Sequence, residues 1–346
     1  MDINKLLDFC VKNRASDLHL SSGSTPIFRI DGELTRFDFP MLEHNDVARM
    51  IDAVMNDKQR KDYTNHLETD FAFQQSPLLR FRVNAFKQQL GAAATFRAIP
   101  NDILSMSALN LPSVFTEIAS LTQGLVLVTG PTGSGKSTTL AAIIDYINAT
   151  RQQHILTLED PIEFVHHSKS CLINQREVFR DTPNFSTALR SALRQDPDVI
   201  LIGELRDLET IRLAMTAAET GHLVFATLHT SSASNTINRI IDVFPGDEKS
   251  IIRTMLAGSL QAVIAQTLLK QINGGRVAAF EIMRCTPAIR SLIREDKIAQ
   301  MYSTIQTSKA LGMQTLDQHL TQLVNQNSIT RETAREAAIS KDLFKS

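Results

Sequence analysis

The chain contains 346 residues, of which 43% are hydrophobic and 21% charged, a balance that is typical of folded globular proteins and excludes a disordered chain. At roughly 100–200 residues per domain, this length predicts two domains. The 36 basic and 37 acidic side chains give a formal net charge of −1, which argues against a protein that mainly coats nucleic acid.

Three cysteines, Cys10, Cys171 and Cys285, lie far apart in the sequence and form no C-x-x-C pair. This spacing favours neither a disulfide framework nor a structural zinc site, and it fits a reducing compartment. The sequence has no apolar run of the ~20 residues that span a bilayer, and its first residues do not resemble a secretory signal. We therefore expect a cytoplasmic protein, with peripheral attachment to a membrane through a partner left open.

The first hundred residues alternate short helices with strands of period two. Helical spacing of apolar residues is present over Asn4–Lys12 and Glu43–Met55. The predicted strands are Leu18–Leu20, Pro26–Gly32 with a turn at Asp31-Gly32, Phe71–Phe73, Arg80–Phe86 and Ala92–Arg97. This mixture predicts an α+β domain over residues 1–99.

A change of pattern marks residues 100–112, where two prolines and a polar stretch predict a linker. Beyond it, short apolar runs separated by helical stretches predict a parallel sheet covered by helices on both faces. These runs are Leu125–Val128, His154–Leu158, Val199–Ile202 and Leu223–Ala226. From about Ser250 onward the pattern predicts helices, with one packing stripe formed by Leu316, Leu320, Leu323 and Val324. The second domain is therefore expected over residues 113–346.

The segment Gly130–Ser137 has the phosphate-loop pattern, between a predicted strand and a helix predicted to begin near Thr138. Its glycines let consecutive main-chain amides face a phosphate. Lys136 would reach the β- and γ-phosphates, and the Ser137 hydroxyl would bind magnesium. ATP and Mg²⁺ are thus the predicted ligands. The predicted nucleotide-binding residues are Gly130, Pro131, Thr132, Gly133, Ser134, Gly135, Lys136, Ser137 and Thr138.

Two acidic clusters follow predicted strands, at the edge where a parallel sheet places its ligands. The first is 159–163, with the sequence EDPIE, and the second is Gly203-Glu204. Gly203 stands where many phosphate-loop enzymes carry a magnesium-linked Asp, so Glu204 is the predicted general base. Beside Ser137, the predicted metal ligands are Glu159 and Asp160. Taken alone, either cluster is equally compatible with a solvated loop that caps a helix.

His222 and His229 flank the apolar strand that begins at Leu223. A histidine at a strand end can sense a γ-phosphate or bind a carboxylate, although a lone histidine is more often structural.

Few cations besides Lys136 and Arg206 are available to a γ-phosphate in the second domain. Arg80, Arg82 and Arg97 lie on predicted strands of the first domain. An arginine from a mobile domain, of the same or a neighbouring subunit, would supply the missing charge and couple hydrolysis to motion.

The chain resembles the secretion-type ATPases of the RecA-like superfamily over essentially its whole length. The motifs that carry the resemblance are Ala15–Leu20, the Walker A loop Gly130–Ser137, the aspartate box Thr157–Phe164, the atypical Walker B segment Leu201–Asp207 and the histidine box Thr220–Thr230. The resemblance implies an α/β protein: an N-terminal PAS-like α+β domain, then a RecA-like P-loop ATPase domain with a helical C-terminal extension.

Within this family, the segment Ala288–Glu295 is similar to the retraction signature AIRNLIRE, with Ser291 in place of Asn. From its residues alone it predicts an amphipathic helix with Ile289, Leu292 and Ile293 on one face and two exposed arginines. The longer N-terminal region and four-cysteine zinc element of assembly and secretion ATPases do not occur in this sequence. The resemblance therefore implies a motor that retracts type IV pili and drives twitching motility.

Three alternatives stay open at this point. One is an accessory retraction ATPase of the same family. A second is a RecA-like motor that moves DNA, against which the charge balance and the scarcity of stacking side chains (Trp 0, Tyr 3) argue. The third is a regulatory subunit that binds nucleotide without hydrolysis, against which the presence of Lys136, Ser137 and Glu204 argues.

The resemblance further implies a homohexamer at the cytoplasmic side of the inner membrane of a piliated bacterium. Its expected partners are the inner-membrane pilus platform protein and an accessory retraction ATPase, without nucleic acid and without insertion into the membrane. ATP would bind between the two domains and Arg82 and Arg97 would contact its phosphates. The predicted catalytic residues are Glu204, Glu163, Arg82, Arg97, His229 and His222.

Overall fold

The computed structural model describes residues 2–30, 32–76, 79–99 and 102–345. The chain forms two compact units, Met1–Asp102 and Ile103–Ser346, each with a sheet of its own. The linker over residues 100–112 stays a prediction, and Pro100, at its start, lies outside the described residues. Asp31 of the predicted turn is also outside them.

The first unit is an antiparallel sheet with helices packed on it. The described strands are β1 (Asp17–Ser21), β2 (Ile27–Ile30), β3 (Glu33–Arg36), β4 (Glu68–Ser76), β5 (Leu79–Gln88) and β6 (Gly91–Ile99). The described helices are α1 (Ile3–Lys12), α2 (His44–Val54) and α3 (Asp57–His66). The strand order is β3-β2-β1-β6-β5-β4. The predicted α+β fold is confirmed.

The period-two pattern of β5 separates core from surface in this unit. Phe81, Val83 and Ala85 are fully buried, whereas Arg82 and Asn84 between them face the other side of the sheet. The buried face is covered by α1 and α2, whose apolar residues belong to the same core cluster. The other face of β5 is thus available to charged side chains.

The second unit is built on a largely parallel sheet in the order β13-β12-β7-β11-β10-β8-β9. Its described strands are β7 (Gly124–Thr129), β8 (His154–Glu159), β9 (Leu172–Glu177), β10 (Val199–Ile202), β11 (Leu223–Leu228), β12 (Leu260–Lys270) and β13 (Arg276–Arg284). Its described helices are α4 (Val114–Ala119), α5 (Lys136–Thr150), α6 (Phe185–Ala192), α7 (Leu208–Glu219), α8 (Ala233–Asp242), α9 (Lys249–Ser259), α10 (Pro287–Arg294), α11 (Met301–Thr307), α12 (Leu316–Asn325) and α13 (Arg331–Ala337).

Both faces of this sheet are covered by helices, as predicted. Along β7, Leu125 and Leu127 belong to a core cluster with residues of α7, α8 and α9. Val126 and Val128, which point to the opposite face, pack in a second cluster with residues of α4 and α5. A strand buried on both faces needs a continuous apolar run, which is what β7 has.

The prediction of helices from Ser250 onward is wrong for part of that segment. After α9, the chain forms strands β12 and β13, and helices resume only at Pro287. Strand β12 pairs in parallel with β7, and β13 pairs antiparallel with β12. The predicted stripe on α12 is confirmed as a packing face, since Leu320 and Leu323 lie in a small core with Leu269 of β12.

Strand β13 lies at one edge of the sheet, where main-chain groups need partners. The Phe280 amide donates to His319 Nδ1 at 2.9 Å, and Ile282 and Gln314 exchange main-chain hydrogen bonds of 2.8 and 3.1 Å. The C-terminal helical segment therefore closes this edge. In the described part of the chain, no helix has both the length and the apolar character required to cross a bilayer.

Candidate active site

The phosphate loop joins β7 to α5 and owes its shape to three glycines. Gly130, Gly133 and Gly135 have φ angles of 144°, 79° and 87°, in the region that favours glycine. A Cβ at Gly130 would also lie 2.2 Å from the carbonyl oxygen of Gln266. Helix α5 begins at Lys136, slightly earlier than predicted, so its N-terminal amides open directly onto the loop. This arrangement suits an anion.

Lys136 lies inside the loop, with 8% of its surface exposed. Its Nζ donates to the carbonyl oxygens of Gly130 (2.8 Å) and Pro131 (3.1 Å). Burial lowers the pKa of the ammonium group, and the negative charges of Glu204 and Glu163 oppose that effect. The structure therefore brings these two predicted catalytic carboxylates within electrostatic range of the loop lysine.

The rest of the loop fits a ligand rich in acceptor oxygens. Thr132 and Gly133 are exposed, and Ser137 and Thr138 are half-buried in the first turn of α5. Among the residues that the structure describes, the buried hydroxyl of Ser134 has no hydrogen-bond partner. An open glycine cradle with an unpartnered hydroxyl beneath it fits a phosphate group.

Glu204 follows β10 at the edge of the sheet that carries the loop. Its Oε2 accepts from Arg206 Nε at 2.8 Å, and its Oε1 lies 3.3 Å from His229 Nε2, at the end of β11. The next amide, of Leu205, donates to the Thr227 carbonyl at 3.0 Å. Two of these contacts hold the oxygens of the half-buried Glu204 carboxylate, and the third holds the adjacent main chain.

Gly203 allows the ends of two strands to approach closely. Its amide donates to the carbonyl oxygen of Leu158 on β8 at 2.7 Å, and its carbonyl accepts from the Thr227 hydroxyl. A Cβ at this position would lie 3.3 Å from Glu159 Cα. The local packing therefore favours glycine where related loops carry an aspartate.

The Glu159 carboxylate accepts hydrogen bonds from side chains of its own sheet. Its Oε1 accepts from the Thr157 hydroxyl (2.7 Å) and from Gln175 Nε2 (3.2 Å). Burial, partly offset by these hydrogen bonds, raises the pKa of its carboxyl group to about 7. A carboxyl group that already accepts these bonds is a weaker metal ligand than a freely ionised one.

Asp160 Oδ2 lies 3.9 Å from the Arg206 guanidinium, which also donates to Glu204. In the described ranges, no cluster of three or more His, Cys, Asp or Glu side chains is placed to hold a metal. Magnesium usually binds one or two protein oxygens together with phosphates and water. The Ser137 hydroxyl and the Asp160 carboxylate fit that ligand set.

His222 precedes β11 and lies at the end of the strand opposite to the phosphate loop. Leu228, at the end of β11, pairs with Thr129 just before the loop, whereas Leu223 pairs with Gly124 at the start of β7. Six strand residues correspond to about 20 Å. The His222 Nδ1 lies 2.9 Å from the Ala217 carbonyl oxygen. Within one chain, His229 therefore joins the site and His222 does not.

The first unit carries a row of arginines that follows from strand register. Arg97 on β6 lies opposite Arg82 on β5 and opposite Asp17 on β1, and Asp17 lies opposite Arg29 on β2. We call Arg29, Arg82 and Arg97 the arginine row. Like charges directly opposite one another are unfavourable unless a counter-charge is present.

Asp17 supplies that counter-charge within the sheet. Its Oδ1 accepts from Arg97 Nε at 2.8 Å, and it is 3% exposed. Burial raises its pKa, but hydrogen bonds from Ser16 and Arg97 outweigh that effect, so the pKa lies below its usual value. The Arg97 side chain remains 65% exposed, which leaves guanidinium donors for an anion.

Two contacts of the second unit were not predicted from the sequence. Gln266 of β12 donates to the loop carbonyl of Ser134. Arg290 of α10 was predicted to be exposed, but it donates to the carbonyls of Ala257 and Gly258 at the end of α9. The sequence pointed to Gln266 only through its position as a polar residue within the mainly apolar segment 260–270. The expected burial of Ile289 and Ile293 is confirmed.

Comparison with known proteins agrees with this geometry. Residues 1–336 match the family described as type II/IV secretion system protein. The chain is 64% identical to the type IV pilus retraction ATPase PilT of Pseudomonas aeruginosa over 98% of each chain. It is 39% identical to the type IV pilus ATPase PilU of the same organism, over 96% of this chain and 88% of that one.

A solved structure is also similar along the whole chain. The crystal structure of the pilus retraction motor PilT with bound ADP has a TM-score of 0.92 and 46% identity, and the match covers 99% of this chain and 98% of that one. The resemblance predicted from the motifs is confirmed, as is the fold of an N-terminal domain followed by a RecA-like ATPase domain. The chain belongs to the type II/IV secretion system protein family.

Proposed function

We propose that this protein is a magnesium-dependent ATPase that powers the retraction of type IV pili. The observation that carries the proposal is the assembly of a phosphate loop, with its buried Lys136, beside Glu204 at one edge of the sheet. Similarity along the full chain to a retraction ATPase supports the biological role. The lower identity to PilU favours the principal motor over an accessory one.

Binding of ATP begins with the loop. The main-chain N–H groups that follow Pro131 in the loop, and the N-terminus of α5, receive the phosphates. The Lys136 ammonium exchanges its bonds with the Gly130 and Pro131 carbonyls for phosphate oxygens, which removes a charge from neutral partners and pairs it with anions. Lys136 thus gains most from a ligand of opposite charge.

Hydrolysis requires a carboxylate that orients and deprotonates water. Glu204 has this role because Arg206 and His229 hold both of its oxygens in place. Glu163 assists through its negative charge near Lys136. Arg82 and Arg97 supply positive charge to the γ-phosphate, where the transition state concentrates negative charge.

Magnesium would be held by the Ser137 hydroxyl and Asp160, with Glu159 contributing less because its oxygens already accept hydrogen bonds. Mg²⁺, when bound, neutralises negative charge on the phosphate oxygens. The residues of this chain provide the loop that orients those phosphates.

In the cell, we place the protein as a homohexamer at the cytoplasmic face of the inner membrane, beneath the pilus platform protein and in contact with an accessory retraction ATPase. Residues 1–99 and 113–346 act as two domains joined by the linker 100–112. Successive hydrolysis events in the ring would draw pilin subunits out of the fibre.

The decisive experiment is deletion of the gene from a piliated strain. Abundant surface pili without twitching support retraction, and complementation with the wild-type gene, but not with Glu204→Gln, should restore movement. Absence of surface pili would instead indicate assembly and would overturn the proposal. An ATPase assay with and without single-stranded DNA tests the DNA-motor alternative, for which strong stimulation by DNA is the expected result.

A further inference from the structure

Gln266 is a buried amide in an otherwise apolar part of β12. It follows Ala265, which pairs with Thr129 at the last position of β7, so Gln266 lies beside the start of the phosphate loop. Only 4% of its surface is exposed. Burial of a primary amide is unfavourable unless its donor and acceptor atoms are both paired. Gln266 therefore requires specific partners.

Both ends of the Gln266 amide are paired with the loop and its helix. Nε2 donates to the carbonyl oxygen of Ser134 at 2.7 Å. Oε1 accepts from the hydroxyl of Thr139, in the first turn of α5, at 2.9 Å. One side chain from a strand that is distant in sequence thus joins the loop to the helix that follows it.

The carbonyl oxygen and the side-chain amide of the same residue limit the space at two glycines of the loop. A Cβ at Gly130 would lie 2.2 Å from the Gln266 carbonyl oxygen, and one at Gly135 would lie 2.9 Å from Gln266 Nε2. Gly130 and Gly135 are the first and last glycines of the loop. Gln266 is therefore in close contact with both of its ends.

The contact with Ser134 controls the direction of a phosphate-binding group. The Ser134 carbonyl and the Gly135 N–H belong to one planar peptide and point in opposite directions. Gly135 has φ of 87° and no side chain, so this peptide can rotate at little steric cost. A hydrogen bond that holds the carbonyl outward keeps the N–H directed into the loop.

We propose that Gln266 is a positioning residue for nucleotide binding, which orients the Ser134–Gly135 peptide so that its amide faces the phosphates. The inference rests on the proposed ATPase function and adds a residue outside the phosphate-loop motif to its binding machinery. It predicts that loss of the Gln266 donor weakens the binding of nucleotide more than it slows the bound reaction.

The test compares Gln266→Leu with the control Gln261→Leu, in the full-length protein. Gln261 is the same residue type on the same strand, but it lies at the opposite end, where its main-chain carbonyl accepts from the Cys285 amide. The measurements are the Kd of the protein for N-methylanthraniloyl-ADP in the presence of Mg²⁺, the KM and kcat for ATP, and the Tm without nucleotide. Gln266→Leu should raise Kd and KM about tenfold, the value of one hydrogen bond of ~1.4 kcal/mol, and change kcat less.

A second variant separates orientation from folding. Gln266→Glu keeps the size and the acceptor for Thr139, but it lacks the donor for Ser134 and adds a carboxylate beside the phosphates, so it should raise Kd more than Gln266→Leu. Equal Kd values for wild type, Gln266→Glu and Gln261→Leu would overturn the inference. So would a loss of affinity in both Gln266 variants that merely follows a fall in Tm. A wild-type protein that neither binds the probe nor hydrolyses ATP would instead refute the proposed function itself.

Discussion

The phosphate loop and the arginine row are both suited to anions, but they are built in different ways. The loop presents main-chain amides and one buried lysine, all within the continuous segment Gly130–Ser137. The arginine row presents side chains from separate strands, aligned by register around the buried Asp17. One site depends on local backbone conformation, and the other depends on how strands pair.

This difference predicts two kinds of response to mutation. The loop has a single buried cation among neutral amides, so loss of that cation should be severe. The arginine row has several exposed guanidinium groups, which solvent screens and neighbours partly replace. Each substitution in the arginine row should therefore reduce ATPase activity only in part.

Lys136→Ala is expected to have the largest effect. Removal of the ammonium group takes away the charge that stabilises the β- and γ-phosphates, so steady-state ATP hydrolysis should fall by about 10³-fold or more. The control Lys169→Ala, which removes a lysine paired with Asp145 on the other side of α5, should retain activity. Undiminished ATP binding and hydrolysis by Lys136→Ala would contradict the role given to the loop.

Glu204→Gln should lower kcat by about 10²–10⁴-fold, because an amide cannot accept the proton of the attacking water. The affinity for ADP with Mg²⁺ should remain close to that of the wild type, since the loop is unchanged. Glu209→Gln, on the neighbouring α7, provides a matched control. Wild-type turnover of Glu204→Gln in a steady-state phosphate-release assay would show that the general base lies elsewhere.

Arg97→Ala and Arg82→Ala should each lower kcat/KM by about 10–10²-fold, less than the loop lysine, because the remaining guanidinium lies opposite the lost one. Arg60→Ala, which removes an exposed arginine paired with Asp52 on α2, is the control. Should both row variants match this control in initial-rate measurements, the arginine row would have no part in phosphate chemistry.

The sequence is informative where a site is formed by residues adjacent in the chain, and much less so where it depends on the pairing of distant strands. The phosphate loop, Glu204 and the parallel strands were predicted because each occupies a short continuous segment. The alignment of Arg82, Arg97 and Asp17 arises only when three strands take their register. His222 is a different case, because it precedes β11, and the chain direction alone puts it at the end of the strand away from the loop.

Strand β12 was predicted as helix for a physical reason. Its residues Leu, Gln and Ala favour helices, and its apolar positions also fit a helical period. Pairing with β7 outweighs these local preferences, because a buried parallel strand needs a neighbour on each side. Gln266 was missed as a direct consequence.

Asp17→Asn should have the smallest effect, about a three- to tenfold loss of kcat/KM, because Arg97 keeps its charge but loses the carboxylate that orients it. The pKa of Asp17 is lower in the folded protein than in the unfolded chain, so its ionised carboxylate stabilises the fold at pH values above the unfolded-state pKa. This stabilisation is lost as the pH falls through the lower, folded-state pKa. The Tm of Asp17→Asn should therefore lie below that of the wild type at pH 7 and approach it near pH 3. A Tm difference that is independent of pH would contradict this account.

Gly203 has a consequence for anyone who wishes to redesign this motor. A Cβ there meets the backbone of Glu159 and the Leu158 carbonyl oxygen at 3.3 Å, so the strand ends would have to separate by a few tenths of an ångström. Substitution by aspartate would thus add a carboxylate near the loop, but it would also displace the strand end that carries Glu204, the proposed general base. Asp160, the proposed metal ligand after β8, is a better position for such a change, because a new side chain there leaves the Gly203–Leu158 hydrogen bond intact.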